Sequence, residues 1–293
     1  MNIHFIGVGK MGLPMASHLL AGGHTVTVSD ASAVQAAQAS DQGLDVVDDP
    51  AAAVAAATVV FSSLPHDAAL LAVAQDFAQH AQTGAVYVDT STVSLRASAE
   101  AARIWEAHGA ACLRTTVSGN NAMAQAAQLT VLASGPRAAY DTVLPLLQRL
   151  GPHQFYLGPQ EEARLMKLVV NLMIAQTSAM LAEALTLGRK GGLDWQAMWQ
   201  VLGASAVASP IVKAKSAQLS QRDFTPTFTV AQMIKDLSLI LDAGADHQVP
   251  LPQTLLTQQL MQTAVAQGHA LDDYAAIIQT VERSAGLATD MGA

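Results

Sequence analysis

Along the first thirty residues, apolar and polar positions change period twice. A short apolar run at 3–6 ends on Gly7, and residues 11–20 then place apolar side chains at helical intervals until Gly22 and Gly23 stop them. A β-branched run at 25–29 follows and closes on Asp30. This pattern predicts a strand, a tight turn, a helix and a second strand. The same alternation continues to residue 156, with strands expected at 44–46, 58–62, 85–88, 110–113, 129–133 and 153–156 and helical stretches between most of them. Strands alternating with helices read as a parallel sheet with crossover helices, hence a doubly wound α/β domain over 1–160.

Beyond Gly158 and Pro159 the period-2 signal is gone. Residues 161–190 read as one helix of about 45 Å at 1.5 Å per residue. Glu161 and Glu162 open it, Arg189 and Lys190 close it, and Gly191 and Gly192 stop it, as the helix dipole and capping preferences favour. Its surface is apolar on nearly every side, which predicts burial between domains or subunits. Further helices are expected at 195–202, 210–219, 230–242, 253–267 and 273–285, punctuated by Pro210, Pro226, Pro250 and Pro252. The second domain, 161–293, is therefore all-helical, joined to the first through the long helix.

Composition narrows the function. Apolar residues make up 51% of the 293 positions and charged ones 13%, so extensive buried surface is expected, a subunit interface included. A net charge of −8 argues against nucleic acid, because phosphate binding needs a basic surface. No unbroken apolar run is long enough to span a bilayer. The first strand begins at residue 2, leaving no room for a leader peptide, so a cytoplasmic location is expected. The single cysteine, Cys112, lies in an apolar stretch and reads as core packing, and the nine histidines show no metal-ligand spacing.

The candidate chemistry starts in the first turn. Gly7, Gly9 and Gly12 stand in G-x-G-x-x-G spacing directly after a strand, with Val8, Lys10 and Met11 between them. The three glycines suit a sharp turn, close approach of backbone to a pyrophosphate, and tight helix–strand packing. Asp30, eighteen residues after Gly12, is placed to accept hydrogen bonds from ribose hydroxyls. This predicts a Rossmann-type dinucleotide site, and the absence of Lys or Arg from 31–39 favours NAD over NADP.

Three further loops fall at the carboxyl ends of expected strands, where such sheets bind ligands: Ser62-Ser63-Leu64-Pro65, Asp89-Thr90-Ser91-Thr92, and 115–121. Each Ser/Thr cluster would also serve as an ordinary helix cap. In the long helix, Lys167 and Asn171 share one face at i,i+4 spacing, with Ser178 continuing the stripe. A lysine there is either a proton-exchanging group or one snorkelling to solvent. Lys235 and Asp236 read most simply as a solvated helix face.

Several motifs in order resemble the β-hydroxyacid dehydrogenase family, which includes 3-hydroxyisobutyrate dehydrogenase and tartronate semialdehyde reductase. They are Gly7-x-Gly9-x-Met11-Gly12-x-x-Met15, Leu19-Leu20-x-x-Gly23-His24, Leu64-Pro65, Asp89-x-Ser91-Thr92, Val117-Ser118-Gly119, Leu129-Thr130, Lys167-x-x-x-Asn171, Glu183-Ala184-Leu185 and Lys235-Asp236-Leu237. The resemblance covers nearly the whole chain. It implies hydride transfer between NAD(H) and a small carboxylate-bearing hydroxy acid or semialdehyde, with no metal. By the same resemblance Lys167 is the acid/base and Asn171 its partner at the substrate oxygen. Ser118, Gly119 and Asn120 form the carboxylate site; Leu64-Pro65, Thr92 and Lys235 lie near the nicotinamide, where Lys235 is expected to lower the Lys167 pKa by repulsion. A homodimer or homotetramer is implied too.

The chain departs from the pattern where the family usually reads Asp-Ala-Pro-Val-Ser-Gly-Gly, since it carries Arg114, Thr115 and Thr116 ahead of Val117-Ser118-Gly119 and then Asn120. Two other activities share this fold, imine reduction and a catalytically inactive dinucleotide-binding oligomerisation module. Both would be expected to lack the lysine.

Overall fold

A computed structural model describes residues 1–288 and divides them by internal contacts into two units, Met1–Lys167 and the part from Leu168 onward. The first unit runs β1 (Asn2–Ile6), α1 (Gly12–Ala21), β2 (Thr25–Ser29), α2 (Ala33–Asp41), β3 (Asp45–Val46), α3 (Pro50–Ala56), β4 (Val59–Ser62) and α4 (Asp67–Phe77). It continues with β5 (Val86–Asp89), α5 (Leu95–Ala107), β6 (Ala111–Ser118), α6 (Asn121–Gln125), β7 (Thr130–Ser134), α7 (Arg137–Leu147) and β8 (His153–Tyr156). These strands form one sheet in the order β3-β2-β1-β4-β5-β6-β7-β8.

Both faces of the sheet are covered, so strand residues are apolar on both sides. Phe5, Val28, Phe61 and Val88 point into one core, where Phe5 and Phe61 stack with ring centroids 5.5 Å apart. Val60, Tyr87 and Cys112 point into the other, where Tyr87 stacks on Trp105 at 4.1 Å. Cys112 is core, as expected, and burial pushes its thiol up to about 12. Side chains start most crossover helices: Ser32, Asp49, Ser94 and Asn120 each accept a backbone N–H of the first turn.

Two expectations need correction here. The strand expected at 110–113 runs on through Ser118, so Thr115 to Ser118 belong to β6 rather than to a loop. The β6–β7 pairing is antiparallel, Arg114 opposite Ser134 and Ser118 opposite Thr130, while every other pairing is parallel. The short helix α6 joins them as a hairpin-like connection, and the β-branched run Thr115-Thr116-Val117 suits the extension.

The long helix α8 (Glu162–Lys190) begins in the first unit and continues into the second, which adds α9 (Trp195–Ala204), α10 (Pro210–Leu219), α11 (Val230–Asp246), α12 (Pro252–Ala266) and α13 (Ile277–Ser284). Thr229 and Gln232 form a capping box at the start of α11. Within the single chain burial of α8 is one-sided: Met166, Val169, Met173, Met180 and Leu187 are exposed and recur at 3-, 4- and 7-residue spacing along one face.

Two buried carboxylates cross-tie the helical unit. Asp273 takes Lys215 Nζ at 2.5 Å and the Thr227 hydroxyl at 2.7 Å. Glu282 is held by Arg222 at 2.7 Å and by Arg189.

Candidate active site

The switch in strand order lies between β1 and its neighbours β2 and β4, and the glycine loop sits at its carboxyl edge. Gly7 has φ +89°, and a Cβ there would stand 2.4 Å from Ser63 O. A Cβ on Gly12 would stand 1.9 Å from Gly7 O, so helix α1 packs on the loop at a distance only glycine permits. Gly9 differs, because a Cβ there would meet nothing within 4 Å. Its backbone therefore faces open space. Helix α1 also starts at Met11 without a side-chain cap and has no acid in its first turn. Leu13 N is bonded to Gly9 O at 3.0 Å and Pro14 has no N–H, so the α1 dipole and the backbone of the open loop are what an anion meets, and the loop fits a pyrophosphate.

Asp30 directly follows β2 and pins this loop, accepting Val8 N on one carboxylate oxygen at 2.8 Å and Ser32 N on the other at 2.8 Å. Each oxygen keeps a further lone pair for a ribose hydroxyl. Val8 is buried, Met11 half-buried, and Lys10 exposed.

The next two strand ends are joined by a buried polar network. Ser62 Oγ donates to Asp89 Oδ1 at 2.6 Å and pairs with Tyr87 Oη at 2.7 Å. Ser91 Oγ donates to the same Asp89 oxygen at 2.6 Å and accepts Leu64 N at 2.8 Å. Leu64 and Thr92, both half-buried, are thereby fixed at the edge beside the glycine loop, with Pro65 exposed next to them. Burial and the Asp89 charge raise the Tyr87 pKa well above its ordinary value, so its hydroxyl stays protonated.

Strand β6 delivers Ser118, half-buried, with Gly119 at φ +141° and Asn120 exposed after it. A Cβ on Gly119 would press on Leu129 Cδ2 at 2.7 Å. Asn120 Oδ1 caps α6 by accepting Met123 N at 3.0 Å, so its Nδ2 is the group left to meet a ligand.

The departures at 114–116 face inward rather than toward a ligand. Thr115 Oγ1 donates to Asp89 O at 3.2 Å and Thr116 Oγ1 to Ala163 O at 3.0 Å. Arg114 donates to Glu161 at 2.7 Å and to Cys112 O at 3.1 Å. With Ser134 Oγ, which donates to Gln160 O at 2.7 Å and accepts Ala163 N at 3.1 Å, they tie the start of α8 to the sheet edge. Lys167, buried at 9% exposure, lies on the next turn of that helix.

In the helical unit, Asn171 Nδ2 donates to Asp236 Oδ2 at 2.6 Å, and Lys235 Nζ lies 3.1 Å from Asp236 Oδ1. Asp236 is 1% exposed, so the reading of 235–236 as a solvated face fails for the acid. It orients the Asn171 amide and pairs with Lys235.

Asp89, Arg164 and Asp236 were missed as site residues. The signal for Arg164 was a second cation inside an apolar helix, three residues before Lys167; for Asp89, an acid closing a strand. Among the described residues no group of three or more His, Cys, Asp or Glu is placed to hold a metal.

Residues 2–158 match the NAD binding domain of 6-phosphogluconate dehydrogenase, and residues 162–281 the NAD-binding domain of NADP-dependent 3-hydroxyisobutyrate dehydrogenase. The 2-(hydroxymethyl)glutarate dehydrogenase of Eubacterium barkeri is 31% identical over 99% of this chain and 98% of its own. Glyoxylate/succinic semialdehyde reductase 1 of Arabidopsis thaliana is 28% identical over 97% and 99%. The structure of Mycobacterium tuberculosis 3-hydroxyisobutyrate dehydrogenase with L-serine superposes with a TM-score of 0.88 at 28% identity, covering 95% of this chain and 98% of that one.

Proposed function

Because the chain belongs to the β-hydroxyacid dehydrogenase family of nicotinamide-dependent oxidoreductases, we propose that it interconverts a small β-hydroxy acid and its semialdehyde, with Lys167 as acid/base. One observation carries this reading. The sheet edge that presents the glycine loop, Leu64, Thr92 and Ser118 also holds the first turn of α8, one turn ahead of Lys167, through Thr116 and Ser134.

When bound, the nicotinamide supplies or accepts the hydride at its C4. In reduction Lys167 Nζ gives a proton to the carbonyl oxygen; in oxidation the neutral amine takes the hydroxyl proton. The Ser118 hydroxyl and the backbone N–H groups of Gly119 and Asn120 hold the carboxylate, which fixes the reacting carbon. Asn171 donates its amide N–H to Asp236. It therefore offers its carbonyl oxygen to the hydroxyl or ammonium hydrogen. Lys235, charge-paired with Asp236, serves the cofactor side.

Asp30 together with the lack of cations at 31–39 favours NAD, since a 2'-phosphate would meet a carboxylate there. Steady-state kinetics with both dinucleotides and a panel of small semialdehydes test the reading. The expected result is NADH oxidation with kcat/KM higher for NADH than for NADPH. A ratio favouring NADPH would overturn the cofactor assignment, and no oxidation of either with any semialdehyde would overturn the activity.

The exposed apolar stripe of α8 supports a homodimer or homotetramer. So does a groove of about 460 Å³ lined by Met173, Met180, Leu256 and Leu260. Light scattering at micromolar concentration is expected to give a multiple of 30.5 kDa, and a clean monomer would count against it.

A further inference from the structure

Arg164 is 2% exposed and lies one turn of α8 before Lys167. Its guanidinium ties the segment at the end of β5 to helix α5. Nε donates to Ser98 Oγ at 3.0 Å, Nη1 donates to Ser91 O, and Nη2 donates to the Asp89 carboxylate. The other oxygen of Asp89 accepts the Ser62 and Ser91 hydroxyls, and Ser91 Oγ in turn accepts Leu64 N. A continuous chain of hydrogen bonds thus runs from the helix that carries Lys167, through Asp89 and Ser91, to the backbone of Leu64, with Thr92 the next residue after Ser91.

A buried ion pair adds little net stability over a well-packed apolar pair, because both charges lose their hydration. What the arrangement supplies is geometry. The planar fork of an arginine holds its acceptors in one plane at set spacing, a geometry that the rotatable donors of a lysine do not impose. From this geometry we infer that Arg164 is a positioning residue, setting the register between Lys167 and the Leu64 and Thr92 loops that flank the nicotinamide. The inference rests on the proposed activity for its catalytic part only; the mechanical part holds for the protein whatever its substrate.

The full-length protein with NADH tests both parts. Arg164→Lys keeps the charge and loses the fork. It is expected to stay folded and to lower kcat by about tenfold or more while substrate KM moves by less than about threefold. Amide exchange should rise together in residues 62–66 and 89–93. Ser91→Ala leaves the ion pair intact and should raise exchange in 62–66 only. A folded Arg164→Lys protein with wild-type kcat would overturn the inference, as would exchange rising only in 162–168. If Arg164→Lys does not fold, an unchanged 62–66 segment in Ser91→Ala overturns it. Should the wild type reduce no semialdehyde, the exchange pattern still decides the mechanical part, so the two failures are distinguishable.

Discussion

In the amino-terminal unit, buried polar groups gather where strands end: Ser62, Asp89, Ser91, Thr115, Thr116 and Arg164 all lie at the carboxyl edge of the sheet or bond to it. In the helical unit, buried charges tie segments far apart in sequence, Lys215 to Asp273 and Arg189 and Arg222 to Glu282. The difference follows from what each architecture provides. A sheet fixes the backbone through its own ladder, so polar side chains at its edge can be set to align ligand-facing loops. Helices have no ladder between them, and ion pairs with hydrogen-bonded carboxylates fix their register instead. Removing a polar group should therefore damage chemistry in the first unit and stability in the second.

The largest effect is expected at Lys167. Lys167→Met keeps an unbranched helix-compatible side chain and deletes the proton donor, so turnover should fall by about 10² to 10⁴ while folding and NADH affinity survive. Single-turnover kinetics beside an NADH titration check this. Turnover above about a tenth of wild type would show that Lys167 is not the acid/base.

The opposite pattern is expected at Asp273. Asp273→Ala leaves Lys215 buried without its counter-ion and should cost about 3–5 kcal/mol of stability, read as a lowered denaturation midpoint. An unchanged midpoint would break the contrast between the two units.

A smaller effect concerns His4, whose ring bonds to Thr27 Oγ1 at 2.9 Å and Ser29 Oγ at 3.0 Å inside the sheet. Burial lowers its pKa to about 4. Between about pH 6.5 and 4 the unfolded chain binds a proton that the folded one does not, so stability falls as pH falls through that window, by about 1 kcal/mol per unit. His4→Asn should flatten the pH dependence of the melting temperature there. An equal slope in both proteins would assign the loss to other groups.

The strands and the glycine loop were legible because their signals are local: period-2 apolar runs, glycine spacing and an acid at a fixed offset. The extension of β6 was not, since the β-branched run Thr115-Thr116-Val117 competes with a Ser-Gly-Asn-Asn turn signal that begins one residue later. Asp236 and Arg164 escaped for another reason. Their roles depend on partners 65 and 75 residues away, and charge at one position does not reveal which way a helix face turns.

The most direct test of the central claim follows the hydride and the proton in one experiment. Reduction of a small semialdehyde by NADH carrying deuterium at both C4 positions, in ordinary water, should place deuterium on the carbinol carbon of the hydroxy acid in the wild-type protein. Lys167→Met should bind the same cofactor with undiminished affinity and form that product at least about a hundredfold more slowly. Product lacking the label, or labelled product formed at wild-type rate without Lys167, would contradict the account.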